Sequence, residues 1–281
     1  MVESHGGSDQ VIEDEDKLAR KMAPLLQRVM IVDSSTASAR MLAEHMRGIS
    51  SGQTFIASDL ETALSMARQI DPQVIFVDWG GGQLDGLEFS RKIRRGYLNC
   101  RKAPIIAIIS QPTAEQIISA RDSGVHEFLR KPFNRRDLLR RLEAVTIRPR
   151  GWIEAVQYVG PDRRRFNSGD YVGALKRKTD LVATDQAQID QALRIIKSAL
   201  LAIGADPAQA LRALRAQADI LKTYAPKVGN TILADAAGVF HDFLLDVTER
   251  GVINASDTLA KAGPLLTFLP KDDVKPVAKA S

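Results

Sequence analysis

Arg28-Val29-Met30-Ile31-Val32-Asp33, Val74-Ile75-Phe76-Val77-Asp78 and Pro104-Ile105-Ile106-Ala107-Ile108-Ile109 decide the fold. Each is a short run of apolar, mostly β-branched residues without polar alternation, the composition of a strand buried on both faces of a sheet. Helical patterns lie between them. Residues 36–47 place Leu42 and Met46 four apart on one face, and Gln53–Ala57 reads as a second short strand. Leu60, Ala63, Leu64, Ala67 and Ile70 then recur at helical spacing behind a Ser58/Glu61 capping-box pair, and Asp71-Pro72 stops that helix. Gly86 opens a helix bearing Leu87, Phe89 and Ile93, and another around 113–123 ends at Gly124. Glu127–Arg130 reads as a fifth strand, and Asn134 caps a helix with Leu138, Leu139 and Leu142. Five strands alternating with helices predict an α/β fold, a doubly wound five-stranded parallel sheet. Ligands in such sheets bind beyond the carboxyl ends of the strands. Those ends carry Asp33, Asp78, Ile109-Ser110 and Lys131. Two carboxylates and an ammonium gathered at one rim are the first functional clue.

A chain of 281 residues has room for two modest domains. No apolar run approaches the roughly 20 residues of a bilayer span, so no membrane partner is expected. The Met1–Gly7 stretch runs into acidic residues and reads as neither a signal peptide nor a transit peptide. Cys100 is the single cysteine, which rules out an internal disulfide and suits a cytoplasmic location. The net charge of +5 is mild, but basic residues crowd positions 130–178. That stripe is open to a phosphate-rich partner or to a plain solvated helix face and basic linker.

Val32-Asp33, Val77-Asp78, Leu84-Asp85-Gly86 and Lys131-Pro132-Phe133, at these intervals, resemble the receiver domain of two-component response regulators, over residues 27–148. The resemblance implies a flavodoxin-like fold and phosphorelay signalling rather than an enzyme of metabolism. It implies that Asp78 is the phosphoacceptor, becoming an aspartyl phosphate by attack on a phosphohistidine of a histidine kinase or phosphotransfer protein. Asp33, Asp78 and the backbone carbonyl of Gly80 would hold Mg²⁺, and Lys131 would pair first with Asp78 and then with the phosphoryl oxygens. Moving PO₃⁻ needs a divalent cation and a point positive charge beside it, so the residue types suit the chemistry.

Three positions depart from the pattern. Ser34 stands where the family carries a second acid, which implies weak Mg²⁺ binding. Ile109 stands at the end of the fourth strand where the family has Ser or Thr, with Ser110 one residue late and on the opposite face. Phe128 fills the aromatic switch position and cannot hydrogen-bond as Tyr would. Two readings follow: a receiver phosphorylated with altered kinetics, and a pseudo-receiver scaffold working without phosphorylation. A haloacid-dehalogenase-like phosphatase would need an Asp at position 80, which is Gly80.

Residues 1–26 read as a flexible acidic tail and 149–186 as a basic linker containing Gly160-Pro161-Asp162-Arg163-Arg164-Arg165. From 187 to 270 the chain reads as a small α-helical bundle, with 271–281 a flexible tail. Ile189, Leu193, Ile196, Leu200 and Ile203 form a 4-3-4-3 seam, Asp206-Pro207 starts a second helix, and Asn230 and Gly251 bracket a third. A fourth starts near Ser256 and is interrupted at Pro264. Such a bundle suits a downstream protein target or a homodimer. His241, beside Phe240, is open to a phosphorelay role or a structural one. No helix-turn-helix is recognisable, so a DNA-binding regulator would have to use the basic linker.

Overall fold

The computed structural model describes residues 6–79, 85–111, 113–163 and 178–270, and divides into two units: 1–153 with 158–167, and 154–157 with 168–281. In the first unit β1 (Arg28–Val32), β2 (Gln53–Ala57), β3 (Val74–Asp78), β4 (Ile105–Ile109) and β5 (Glu127–Arg130) form one parallel sheet in the order β2-β1-β3-β4-β5. The crossovers are α2 (Thr36–Arg47), α3 (Leu60–Ile70), α4 (Gly86–Arg95) and α5 (Ala114–Asp122), and α6 (Arg135–Thr146) closes the series.

Alternation along the strands separates the core into two layers. Val29, Ile31, Val74, Phe76, Ile106 and Ile108 meet Leu42 and Met46 of α2 and Leu138 and Leu142 of α6. Met30, Val32, Ile75, Val77, Ile105 and Ala107 meet Ala63 and Ala67 of α3, Phe89 and Ile93 of α4 and Ala120 of α5. The continuous apolar runs are explained by this burial on both faces.

Residues 6–26 do not form a flexible tail, and residues 1–5 lie outside those described. Gly6–Met22 is a helix, α1, followed by a 3-10 turn at Ala23–Leu25. Ala19, Met22 and Leu26, spaced three and four apart, are buried in the core layer that α6 and α2 share, and α1 packs on α6. Arg135 holds the acidic half, with its guanidinium 2.9 Å from Asp16 and 3.7 Å from Glu15. The α3 cap also differs from expectation. Asp59 accepts the Thr62 amide at 2.8 Å, in place of the Ser58/Glu61 pair.

Nor is the 149–186 stretch a linker throughout. Trp152–Glu154 (β6) and Val159–Pro161 (β7) pair in a two-stranded sheet, and α7 (Lys178–Leu201) begins inside it. Within the first unit β7 lies against the turn after α5. A Cβ on Gly160 would stand 2.7 Å from the Gly124 Cα, and one on Gly124, whose φ is +88°, would strike the Val159 carbonyl. Gly160-Pro161-Asp162-Arg163 is thereby explained: its glycine permits backbone contact, and Arg163 lies 3.5 Å over the Tyr158 ring and 2.9 Å from Asp122.

In the second unit, α7, α8 (Pro207–Tyr224), α9 (Thr231–Arg250) and α10 (Ala255–Leu266) share one apolar core. The seam Ile189, Leu193, Ile196, Leu200, Ile203 is buried throughout. Asp206 and Asn230 cap α8 and α9, and Gly251 closes α9 at φ +74°. Pro264 sits inside α10 instead of interrupting it, and the helix ends two residues later. Glu154, counted with this unit, is buried and accepts from Gln209 Nε2 at 2.9 Å, while Gln217 Nε2 donates to its carbonyl. Residues 271–281 lie outside those described.

Candidate functional site

The strand order reverses between β1 and β3, because the chain leaves β1 for β2 on one side and returns to β3 on the other. Val32 pairs with Val77, so the next residues are Asp33 and Asp78, side by side at the carboxyl rim. Lys131 leaves β5 at the same rim. Its Nζ donates to Asp78 Oδ1 at 2.7 Å and lies 3.5 Å from Asp33 Oδ2. Three residues chosen from strand ends therefore form one cluster.

Their environments differ. The Asp33 side chain is 1% exposed, Asp78 13% and Lys131 25%. Asp33 Oδ1 accepts the Ser35 amide at 2.8 Å, whereas Oδ2 is buried without a hydrogen-bond donor within bonding distance. An acceptor left so costs roughly 1–3 kcal/mol, and more when charged. Two carboxylates facing one ammonium leave net negative charge in a partly dry pocket, the condition under which a hard divalent cation is favoured. The Asp33 oxygen without a hydrogen-bond donor, together with the Asp78 carboxylate, thus fits Mg²⁺. No group of three His, Cys, Asp or Glu side chains able to hold a metal occurs among the described residues. Ser34, exposed, adds no charge. The Gly80 carbonyl falls outside the described residues. Asp85 is engaged as the α4 cap, accepting the Leu87 and Glu88 amides.

Ile108 pairs with Asp78, and Ile109 closes β4 with its carbonyl accepting the Lys131 amide at 2.7 Å. Its side chain is buried, and Ser110 is exposed one residue later. Phe128 is half-buried against the core layer that includes Val77, Ala107, Phe89 and Ile93. Within the basic stripe Arg135, Arg141, Arg148, Arg150 and Arg163 each have a carboxylate partner, while Arg164, Arg165, Lys176 and Arg177 lie outside the described residues. His241 lies on α9 with Nε2 3.0 Å from Asp219 on α8, a position that braces two helices.

Sequence reasoning missed the cluster at the other end of α4. Arg94, 1% exposed, donates to the carbonyls of Gly124, Arg101 and Ala103 and approaches His126 Nδ1 at 3.2 Å. Its guanidinium lies 5.3 Å from the Trp152 ring centroid, and the His126 and Trp152 rings are 6.3 Å apart. Burial pushes the Arg94 pKa down to about 9. Burial, then the charges of Arg94 and Arg150, holds the His126 pKa well below its ordinary value. The available signal was an arginine at position 94, one residue after Ile93 on the apolar face of α4.

Residues 29–143 match the family model described as the response regulator receiver domain. Chemotaxis protein CheY-3 of Vibrio cholerae is 27% identical over 118 residues, 42% of this chain and 90% of that protein. DNA-binding response regulator MtrA of Mycobacterium tuberculosis is 24% identical over 123 residues, 44% of this chain and 52% of that protein. Among solved structures, a putative response regulator from Chloroflexus aurantiacus is 23% identical, covering 43% of this chain and 98% of its own at a TM-score of 0.40. The receiver domain of sensor histidine kinase PA1611 from Pseudomonas aeruginosa, with magnesium coordinated in its active site cleft, is 25% identical, covering 42% of this chain and 94% of its own at a TM-score of 0.38.

Proposed function

We propose that this chain, whose residues 29–143 are a response regulator receiver domain, accepts a phosphoryl group on Asp78 from a phosphohistidine of a histidine kinase or phosphotransfer protein. The observation that carries this reading is the 2.7 Å contact from Lys131 Nζ to Asp78 Oδ1, beside the buried Asp33 carboxylate. An Asp78 carboxylate oxygen forms the new P–O bond, the P–N bond breaks, and its electron pair stays with the imidazole. Lys131 holds its proton throughout and moves its hydrogen bonds to the phosphoryl oxygens, balancing charge there. Asp33 and Asp78 would hold Mg²⁺, which neutralises phosphoryl oxygens when bound.

The helical unit carries the output by protein–protein contact. Ile232 and Val239 on α9, seven residues apart on one face, are 72% and 63% exposed, a surface suited to a protein target or a second copy. No helix among the described residues is long and apolar enough to cross a membrane. A second reading, a scaffold working without phosphorylation, is favoured by Ile109, which brings a buried alkyl group to the rim where a hydroxyl would meet the phosphoryl group.

Incubation with acetyl phosphate and Mg²⁺, followed by intact-mass measurement, separates the two. One added phosphate, labile to hydroxylamine and lost in Asp78→Asn, is expected. An unchanged mass with acetyl phosphate and with phosphohistidine donors establishes the scaffold reading.

A further inference from the structure

Helix α4 is fixed at both ends by contacts that leave little room. At its start, a Cβ on Gly86 would stand 2.7 Å from the Asp78 carbonyl, so the first turn rests on the backbone of the acceptor residue. At its end, Arg94 inserts a buried guanidinium that donates to the carbonyls of Gly124, Arg101 and Ala103 at 2.9, 2.7 and 3.0 Å. None of these acceptors is a carboxylate. A cation desolvated in this way is held by the geometry of those carbonyls, His126 and the Trp152 ring, so moving α4 as a body would strip several charge-assisted hydrogen bonds at once. The ten residues span roughly 15 Å at ~1.5 Å per residue. Over the far end of this rod lies Trp152, facing Arg94 and His126, and beside it Gly160 against Gly124.

On the β4–β5 side of the site, two positions that could present a hydroxyl carry Ile109 and Phe128. Ile109 and Phe128 offer no hydroxyl to a phosphoryl group, so neither can be drawn to it by a hydrogen bond. Helix α4 is the element nearest to a charge change at Asp78, because its first turn rests on the Asp78 carbonyl and its cap is the Asp85 carboxylate.

We infer that the segment Gly151–Ile153 with Tyr158–Arg163 is a phosphorylation-responsive strap, read out through α4 and the Arg94–Trp152 contact. The inference rests on the phosphoacceptor role of Asp78. It assigns the strap a regulatory part: occupation of Asp78 shifts the equilibrium between docked and released states, and docking reciprocally shifts the affinity of the site for a phosphoryl group.

The test uses the full chain with beryllium fluoride and Mg²⁺ as a non-covalent phosphoryl mimic, read by amide hydrogen exchange. Occupation of Asp78 is measured separately, by fluorine NMR of the bound mimic. Bound fluoride is expected together with altered exchange at residues 151–163, including the Asp162 amide that donates to Gly151. In Trp152→Ala the mimic's affinity should change at least about fivefold, the low end of typical coupling between sites. Trp152→Phe, which keeps a ring over Arg94, should restore most of the wild-type value. Bound fluoride with unchanged exchange at 151–163 and unchanged affinity in a folded Trp152→Ala overturns the strap and leaves the phosphoacceptor intact. No bound fluoride together with no phosphate from acetyl phosphate overturns the phosphoacceptor reading and the strap with it.

Discussion

Gly160 rests directly on Gly124: a methyl group on Gly160 would come within 2.7 Å of the Gly124 Cα. Two stretches of chain thirty-six positions apart touch backbone to backbone, and each glycine removes the atom that would separate them. Gly124 carries the further demand of φ +88°, a region that disfavours any side chain. Gly124→Ala therefore combines a conformational cost of about 1–2 kcal/mol with overpacking of about 1–3 kcal/mol. Gly160→Ala carries the overpacking alone. Urea unfolding of the full chain should show both variants destabilised, Gly124→Ala more. Equal midpoints for wild type and Gly160→Ala would mean that β7 does not lie against the α5–β5 turn.

His126 must be neutral to accept from Arg94 and from the Ile105 amide on one ring nitrogen. Burial and then the Arg94 and Arg150 charges depress its folded-state pKa below the ordinary 6.5. The unfolded chain takes up a proton near 6.5 while the folded chain does not. Stability from this group is present above pH 6.5 and is lost progressively as pH falls below it. Unfolding midpoints measured from pH 8 to pH 5 should fall more steeply for wild type than for His126→Asn, which keeps an acceptor without a titrating ring. Parallel curves would mean that His126 is not buried beside Arg94.

The sheet and the Asp33–Asp78–Lys131 cluster were legible because strands buried on both faces have no polar positions to confuse the pattern. A carboxylate or ammonium ending such a strand can only sit at the rim. The departures at Ser34, Ile109 and Phe128 were legible for the same reason, by counting along the strands. The helix α1 was hidden because its acid-rich half, Glu13-Asp14-Glu15-Asp16, dilutes the stripe of Leu18, Ala19, Met22 and Leu26 that docks it. The β6–β7 pair was hidden because three-residue strands are too short for periodicity, and Gly160-Pro161 reads as a turn. Arg94 was hidden because a charged residue on a helix is read as solvated until something is seen to cover it.

Met22 tests the helix that the composition concealed. Its side chain is fully buried against the layer formed by α2 and α6. Met22→Ala removes that packing and should destabilise the full chain by about 2–5 kcal/mol, the range for large-to-small changes in a core. Arg135→Ala, which breaks partly exposed ion pairs with Glu15 and Asp16 and an exposed hydrogen bond to the Gly48 carbonyl, should cost under about 1 kcal/mol. Thermal or urea unfolding distinguishes them. A negligible effect of Met22→Ala would mean that α1 does not dock on the sheet's helical layer.

Ser34 offers the sharpest test of the rim itself. It is exposed and follows the buried Asp33, whose Oδ2 lacks a hydrogen-bond donor. A carboxylate there would add a third anionic group to a pocket that Asp33 and Asp78 already make negative, and hard-cation affinity rises with ligand charge. Ser34→Asp should therefore tighten Mg²⁺ binding, by about tenfold for each ~1.4 kcal/mol gained. Quenching of Trp79 fluorescence, next to Asp78, supplies a titration signal, checked by calorimetry because Trp152 also emits. Asp33→Asn should weaken binding in both backgrounds, since it removes one charge from the oxygen that no donor satisfies. If Ser34→Asp leaves the affinity unchanged while Asp33→Asn abolishes it, position 34 does not face the metal and the cation is held by Asp33 and Asp78 alone.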